Sequence, residues 1–268
     1  MTQQVYGENY SGSAPENYER FFVPTIGGPV AEDLLRVAAL QPGERILDLA
    51  CGTGVVARLA AAEIGAEGTV AGLDVNAEML RVARSVTPAD LSIEWYETSA
   101  EAIPLPDDSF DVVLCQMGLQ FIPDRLSAMR EMRRILAPGG RVVLSVPGPT
   151  PKLFEIMADG LGKHVHPGCA SFPEMVFSLH DGDQLRDMFR SAGFSEIDIR
   201  AETRSLPLPA REDFLWQYVH CTPLTEPVSA ATDEQRAAAE REICERWSEL
   251  IVDGSLTVRV GMTTVIAR

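Results

Sequence analysis

The sequence predicts a doubly wound α/β domain, a mostly parallel sheet with helices on both faces and helical insertions over it. Three observations predict it. Short apolar runs alternate with amphipathic stretches from residue 45 to residue 146. A glycine-rich turn joins the first apolar run directly to a helix. The rhythm then breaks after Pro147 and again after Pro207, before an alternating run closes the chain.

The chain starts with a polar, aromatic arm, Val5 to Pro24, that carries Tyr6, Tyr10, Tyr18, Phe21 and Phe22. From Pro29 to Leu40, Val30, Leu34, Leu35, Val37 and Ala38 recur at helical spacing, and Gln41-Pro42-Gly43 stops that helix. Strands are expected at 45–50, 69–75, 92–98, 110–116 and 141–146, with helices at 54–64, 77–86 and 124–136 between them. The last of these strands is entered through Pro138-Gly139-Gly140. Pro147, Pro149 and Pro151 then open a segment to Phe177 with helical patches and no strand. A helix at 181–192 and a strand at 196–203 resume the pattern. An irregular segment from Pro207 to Pro227, a helix at 233–252 and a closing strand at 256–267 complete seven strands. This divides the chain into arm and first helix (1–40), core (41–148), cap insertion (149–180), and remaining core with a second insertion at 207–255.

At ~100–200 residues per domain, 268 residues make one large domain with an appendage. With 46% hydrophobic and 23% charged residues, disorder is excluded. The net charge of −16 repels phosphate backbones, and the densest basic stretch, Arg130, Arg133 and Arg134, is the polar side of a helix. Nucleic acid is therefore not an expected partner. Cys51, Cys115, Cys169, Cys221 and Cys244 are scattered with no C-x-x-C pair, which fits reduced thiols in a cytoplasm and no metal site. The start MTQQVYGENY lacks the features of a signal peptide, and no apolar run approaches the ~18 residues that span a bilayer. The sequence leaves a homodimer open.

The candidate site is written into the first crossover, Asp48-Leu49-Ala50-Cys51-Gly52-Thr53-Gly54, followed at once by a helix. Glycines there allow a tight turn and close approach of a ligand to a helix N-terminus. Gly52, Gly54 and Ala57 satisfy the G-x-G-x-x-G/A fingerprint, and Asp74, 22 residues after Gly52, ends the second strand where an acid binds ribose hydroxyls. A dinucleotide would bring pyrophosphate to this turn, and the Asp48 carboxylate would oppose it. A cationic group suits Asp48 better, and the ligand of this shape with an ammonium and a sulfonium is S-adenosylmethionine. The plainer alternative is that Asp48 only caps neighbouring backbone N–H groups.

ILDLACGTGVVA (46–57) resembles motif I of the class I S-adenosylmethionine-dependent methyltransferases, and AGLDVNAEML (71–80) is similar to their second motif. ETSAEAIPLPDDSFDVVLCQ (97–116) resembles their adenine loop and fourth strand, and RRILAPGGRVVLSVPG (133–148) their strand-five signature. The set is most like the ubiquinone/menaquinone C-methyltransferase branch and its small-molecule relatives. The resemblance implies that Asp48 and the backbone at Ala50, Gly52 and Gly54 hold the methionine portion, and that Asp74 takes the ribose. Val75 and Met79 would flank the adenine, with Ser99, Ala100 and Glu101 in the adenine loop and Gln116 beside the methionine end. The family often has Asp where this chain has Ser99, so the bond to the adenine amino group is in question there. Tyr18 is expected as a lid contact, since the arm of relatives folds over the cofactor. Asp107, Asp108 and Asp111 read as turn and strand-start residues.

Methyl transfer from a sulfonium is an in-line displacement, so alignment supplies most of the rate, with a general base where the nucleophile needs one. The four histidines all follow residue 160. His220, in the aromatic stretch Phe214-Leu215-Trp216-Gln217-Tyr218-Val219-His220, is the first expectation for a base, and His164 and His166 the second. The insertions carry Phe154, Met157, Phe172, Met175, Phe177, Phe214, Trp216 and Tyr218, which suit a small hydrophobic substrate. The expected function is S-adenosylmethionine-dependent methylation of a small apolar or aromatic metabolite at O, N or C. Two alternatives stand beside it. One is a non-catalytic protein that keeps the cofactor fold. The other, a nicotinamide-dependent oxidoreductase, is opposed by Asp48 and by the lack of a Tyr-x-x-x-Lys pair beside the fourth strand.

Overall fold

The computed structural model describes residues 10–268; Tyr6, expected in the arm, lies outside them. The strands are β1 (Arg45–Leu49), β2 (Thr69–Asp74), β3 (Ile93–Glu97), β4 (Phe110–Gln116), β5 (Leu136–Pro147), β6 (Ile197–Pro207), β7 (Ile251–Val252) and β8 (Ser255–Ala267). They run in the order β3-β2-β1-β4-β5-β8-β6, with the two-residue β7 folded back on the start of β8. The first five are parallel, and β8 lies antiparallel between β5 and β6. The order reverses between β1 and β4, so the carboxyl ends of these strands open a crevice there. The doubly wound, seven-stranded sheet matches expectation, with β7 as a small addition.

Helices Val55–Ile64, Ala77–Val86, Arg125–Ile135 and Gly182–Ser191 cover the sheet. The last three start behind a capping side chain just ahead of the first turn. Asn76 accepts from the Glu78 and Met79 N–H groups, Asp124 from Ser127, and Asp181 from Asp183 and Gln184. The buried β1 residues Ile46, Leu47 and Leu49 split their contacts between the two faces, as strands covered on both sides require.

Three segments differ from expectation. The arm is helical, running from Ala14–Asn17 through wide π-turns at Tyr18–Gly27 into Gly28–Ala38. Pro24 lies inside the widened stretch, where its missing N–H removes a regular helical bond. β5 begins earlier than Arg141: Leu136 pairs with Phe110 and Arg141 with Val112, so residues 137–140 bulge out. The segment 207–227 is not irregular but carries helices Arg211–His220 and Thr225–Ala230. Its prolines mislead, because Pro207 ends β6, Pro209 precedes one helix and Pro227 falls in the first turn of the next, where a proline is tolerated. The following helix, Asp233–Trp247, stops before the expected 252 because the chain turns into β7.

Both insertions pack into one cap with a core of its own. Leu153, Phe154 and Met157 from helix Lys152–His164 meet Phe214, Tyr218, Ile243 and Trp247 from the second insertion, over the outer ends of β6 and β8. Trp247 is fully buried, and its indole N–H donates to the Leu153 carbonyl at 3.0 Å. Trp247→Ala is therefore expected to lower unfolding free energy in urea by about 3–5 kcal/mol, since it leaves a large cavity and removes the indole hydrogen bond.

Candidate active site

After β1 the chain turns through left-handed conformations at Ala50, Gly52 and Gly54, with φ of +55°, +54° and +81°. Gly54 can be nothing larger: a Cβ there would lie 2.4 Å from the Trp95 ring. At Gly52 a Cβ would meet nothing within 4 Å, so the backbone borders open space that a ligand can enter. Ala50 holds the left-handed conformation without being glycine, at a cost of ~1–2 kcal/mol.

Two acids fix this turn. Asp48, only 1% exposed, accepts the Ala57 N–H in the first turn of the following helix at 2.9 Å. Burial pushes its carboxyl up to about 8, the Ala57 bond opposes the shift, and the nearby Asp74 adds to it. Asp74 accepts the Gly52 N–H at 2.7 Å with one oxygen and the Asn76 N–H at 2.9 Å with the other. Burial raises its pKa as well, against those backbone bonds.

Above them lies a cavity of about 420 Å³, within the size range of small-molecule sites. Asp48, Ala50, Gly52, Asp74, Val75 and Met79 line it, as do Ser99, Ala100, Glu101, Gln116 and Tyr18. Gly54 does not; it sits against Trp95 and supports the turn from behind. Ser99 Oγ accepts the Glu101 N–H at 3.1 Å, and Glu101 in turn accepts the Asp124 N–H at 2.7 Å. These side chains therefore shape their loop. Gln116 donates to the Gly27 carbonyl at 3.0 Å, while its Oε1 is buried without a partner. Sequence reasoning missed Tyr10, Met117, Phe121, Ile122 and Pro123 in this lining. The last four follow the carboxyl end of β4, and that position was the available signal.

The arm closes the cavity. Asn76 Nδ2 donates to the Tyr10 carbonyl at 3.0 Å, and Tyr10 packs with Ala14 and Met79. Tyr18 stands edge-on to Tyr10 at 6.0 Å and stacks on Phe22 at 4.7 Å. The shielded pair Arg58–Glu19, at 2.7 Å, ties the arm to the helix after β1. Burial raises both phenol pKa values, so Tyr10 and Tyr18 stay protonated.

A narrower slot of about 60 Å³ shares Tyr10, Tyr18, Met117 and Phe121 with the cavity and runs up into the cap. Phe22, Phe154, Phe172, Phe177 and Tyr218 wall it, and no histidine lines either space. His220 is exposed and, with Trp216, Arg236 and Glu240, lines a separate outer hollow rather than either of these spaces. Its helix buries Phe214, Leu215, Tyr218 and Val219, and at 100° per residue position 220 faces away from Tyr218. Its backbone carbonyl accepts from Asn17. His164 pairs with Glu242 at 2.7 Å on the outer cap, and His166 Nδ1 accepts the Gly168 N–H at 3.0 Å. Trp216 also faces outward and donates to Glu240.

Among the described residues no group of His, Cys, Asp or Glu is arranged to hold a metal ion, and no helix is long and apolar enough to cross a membrane.

A glycine turn after β1, an acid closing β2 and a cavity at the point of strand-order reversal define an α/β enzyme of the nucleoside-cofactor class. The family model described as the ubiE/COQ5 methyltransferase family matches residues 30–206, and the chain belongs to that family. It is accordingly an S-adenosylmethionine-dependent methyltransferase acting on small molecules. The chain is 33% identical over 180 residues to the demethylmenaquinone methyltransferase of Listeria monocytogenes, covering 62% of this chain and 76% of that one. Among solved structures it resembles the YcgJ protein of Bacillus subtilis, with a TM-score of 0.59 at 19% identity, covering 88% of this chain and 96% of that one. It also resembles the phosphoethanolamine N-methyltransferase 2 of Haemonchus contortus in complex with S-adenosyl-L-methionine. There the TM-score is 0.54 at 20% identity, covering 88% of this chain and 51% of that one. At these identities the two structures speak to the fold alone.

The raised Asp48 carboxyl sets a pH dependence. In the unfolded chain Asp48 returns to its ordinary range near 3.8. Between pH 4 and about 8 the folded, cofactor-free protein then holds the extra proton, so stability falls as pH rises through that window. Asp48→Asn keeps an oxygen for the Ala57 N–H and removes the titration. Its cofactor-free melting temperature at pH 8 is expected at or above the parent's. Its affinity for S-adenosylhomocysteine should fall about tenfold or more, the worth of a charged hydrogen bond. Calorimetry on both proteins at pH 6 and pH 8 checks this.

Proposed function

We propose that this chain methylates a neutral, flat, largely apolar small molecule held in the slot where arm and cap meet. The carrying observation is the joint between the two spaces. Tyr10, Tyr18, Met117 and Phe121 line both, so a ligand in the nucleoside cavity and a ring in the slot abut there. S-adenosylmethionine, when bound, supplies an electrophilic methyl on a sulfonium.

The residues fit that cofactor. The open space over Gly52 would admit it, Asp48 would balance its ammonium, and the unpartnered Gln116 Oε1 would be an acceptor at the same end. Asp74 would accept from the ribose hydroxyls, Val75 and Met79 would flank the adenine, and the loop 99–101 would border its edge. Tyr18 closes the arm over it.

The slot then holds the nucleophile in line and excludes water. It offers no imidazole, and its buried phenols are held in the protonated form, so the acceptor is one whose reacting atom needs no strong base. Relatives act, by their names, on demethylmenaquinone, but the family match ends at residue 206 and half of the cap lies beyond it. The acceptor is therefore not carried over from them. Five free, buried cysteines favour a reducing compartment, and we place the protein in the cytoplasm.

S-adenosylhomocysteine at about 100 times its dissociation constant should add about 2.7 kcal/mol of stability, visible as a higher melting temperature. NADH should give no shift, and Asp74→Ala should abolish the adenosyl effect. A shift with NADH alone would overturn the cofactor assignment. With any acceptor that is turned over, His220→Ala and His164→Ala should keep kcat within about twofold, because neither ring reaches the joint. A loss of 100-fold or more in either would restore a histidine base.

A further inference from the structure

Gln120 sits in the short turn Leu119–Phe121 after β4, is 2% exposed, and lines the slot. Its Nε2 donates to the Met117 carbonyl at 2.9 Å. That bond decides which end of the carboxamide is oxygen, because a carbonyl can only receive a donor. The oxygen, Oε1, is buried and has no hydrogen-bond partner. It also has little freedom to find one. Arg125 holds the Gln120 carbonyl at 3.1 Å, and Met117, in a left-handed conformation, donates its N–H to Ser145 at 2.8 Å.

The neighbours make this oxygen distinctive. Phe22, Phe154, Phe172 and Phe177 offer only apolar surface. Thr222 already donates its hydroxyl to the Tyr218 carbonyl at 3.0 Å. The hydroxyls of Tyr10, Tyr18 and Tyr218 can donate as well as accept, and burial keeps all three protonated. No charged side chain lines the slot. Gln120 Oε1 is thus a fixed acceptor in apolar surroundings, and a buried acceptor left unpaired is costly.

We propose that Gln120 determines acceptor specificity: its carboxamide oxygen receives a hydrogen bond from an O–H or N–H on the neutral ring that occupies the slot. This rests on the reading of the slot as the acceptor site. The residue selects and orients the ring; an amide oxygen is too weak a base to remove a proton. A site built around such a bond rejects the analogue lacking the donor far more strongly than it rejects a change of one methyl group.

Phenol and toluene test it, being nearly the same shape with O–H exchanged for CH₃. An apolar slot without donor recognition prefers toluene, because burying a hydroxyl unpaired is unfavourable. Saturation-transfer NMR titrations on the S-adenosylhomocysteine-loaded protein are expected to show phenol bound about tenfold or more tightly than toluene. In Gln120→Met the phenol affinity should fall about tenfold, with toluene unchanged or tighter, so that the preference disappears. Gln120→Leu repeats the measurement should the first variant fail to fold. Equal or better binding of toluene by the parent protein would overturn the proposal, as would a phenol preference that survives in a folded variant. The thermal shift with S-adenosylhomocysteine is read separately. Its absence strikes the cofactor assignment, while the phenol-to-toluene ratio, measured without that ligand too, still decides the role of Gln120.

Discussion

The carboxylates at the carboxyl ends of β1 and β2, Asp48 buried and Asp74 half-buried, hold the rest of the site in place. Asp48 reaches forward to the Ala57 N–H, and Asp74 collects the N–H groups of Gly52 and Asn76. Between them they satisfy backbone donors that a tight strand-to-helix turn leaves without partners. The turn is thereby locked open over Gly52 and packed shut behind Gly54, where Trp95 fills the space a side chain would need. Desolvation raises both pKa values and the neighbouring Asp74 adds to the shift of Asp48, an unfavourable arrangement that a cation at the site relieves. The same contacts that form the turn therefore favour a positively charged ligand.

The arm and the cap are built onto that turn by a few long-range bonds. Gln116, at the end of β4, holds the Gly27 carbonyl, and Arg204 on β6 holds the Pro29 carbonyl at 2.7 Å. Asn17 reaches the His220 carbonyl on the cap, and Glu19 of the arm pairs with Arg58 of the helix after β1. The widened helical turns at Tyr18–Gly27 turn Tyr18, Phe22 and Ile26 toward the slot. A local departure from regular helix thus serves both to close the cavity and to line the slot, a use in keeping with where π-turns occur. Arm, sheet and cap meet at one place, the joint of cavity and slot.

The cofactor half was legible in the sequence because short local patterns encode it. A strand, a Gly-x-Gly turn, a helix and an acid-ended strand leave their mark within 30 residues, and the helix 77–86 and strand 110–116 fall where periodicity puts them. The acceptor half was legible only as composition. Its aromatic content pointed to a pocket, but which residues face inward depends on helix phase and on packing between distant segments. His220 and Tyr218 are two residues apart and lie on opposite sides of one helix, and only the buried partner shows which side matters. Gln120 carried no sequence signal at all, since its significance is an oxygen without a partner, which only the folded turn creates.

That division bears on how such a chain acquires its own substrate. The family match covers the arm's helix, the sheet to β6 and the first insertion, and stops at residue 206. Phe154, Phe172, Phe177 and Gln120 fall inside it, whereas Tyr10, Tyr18, Phe22 and Ile26 precede it and Tyr218, Thr222 and Val260 follow it. The slot is therefore assembled from both parts, and neither part alone fixes its shape. Changing the segment after 206 alters one wall of the slot and leaves Asp48, Asp74 and the glycine turn untouched. Because methyl transfer depends on holding a nucleophile in line more than on any one side chain's chemistry, a new wall suffices for a new acceptor. The net charge of −16 lies outside a slot whose lining is uncharged, so the acidity that governs solubility is kept apart from it.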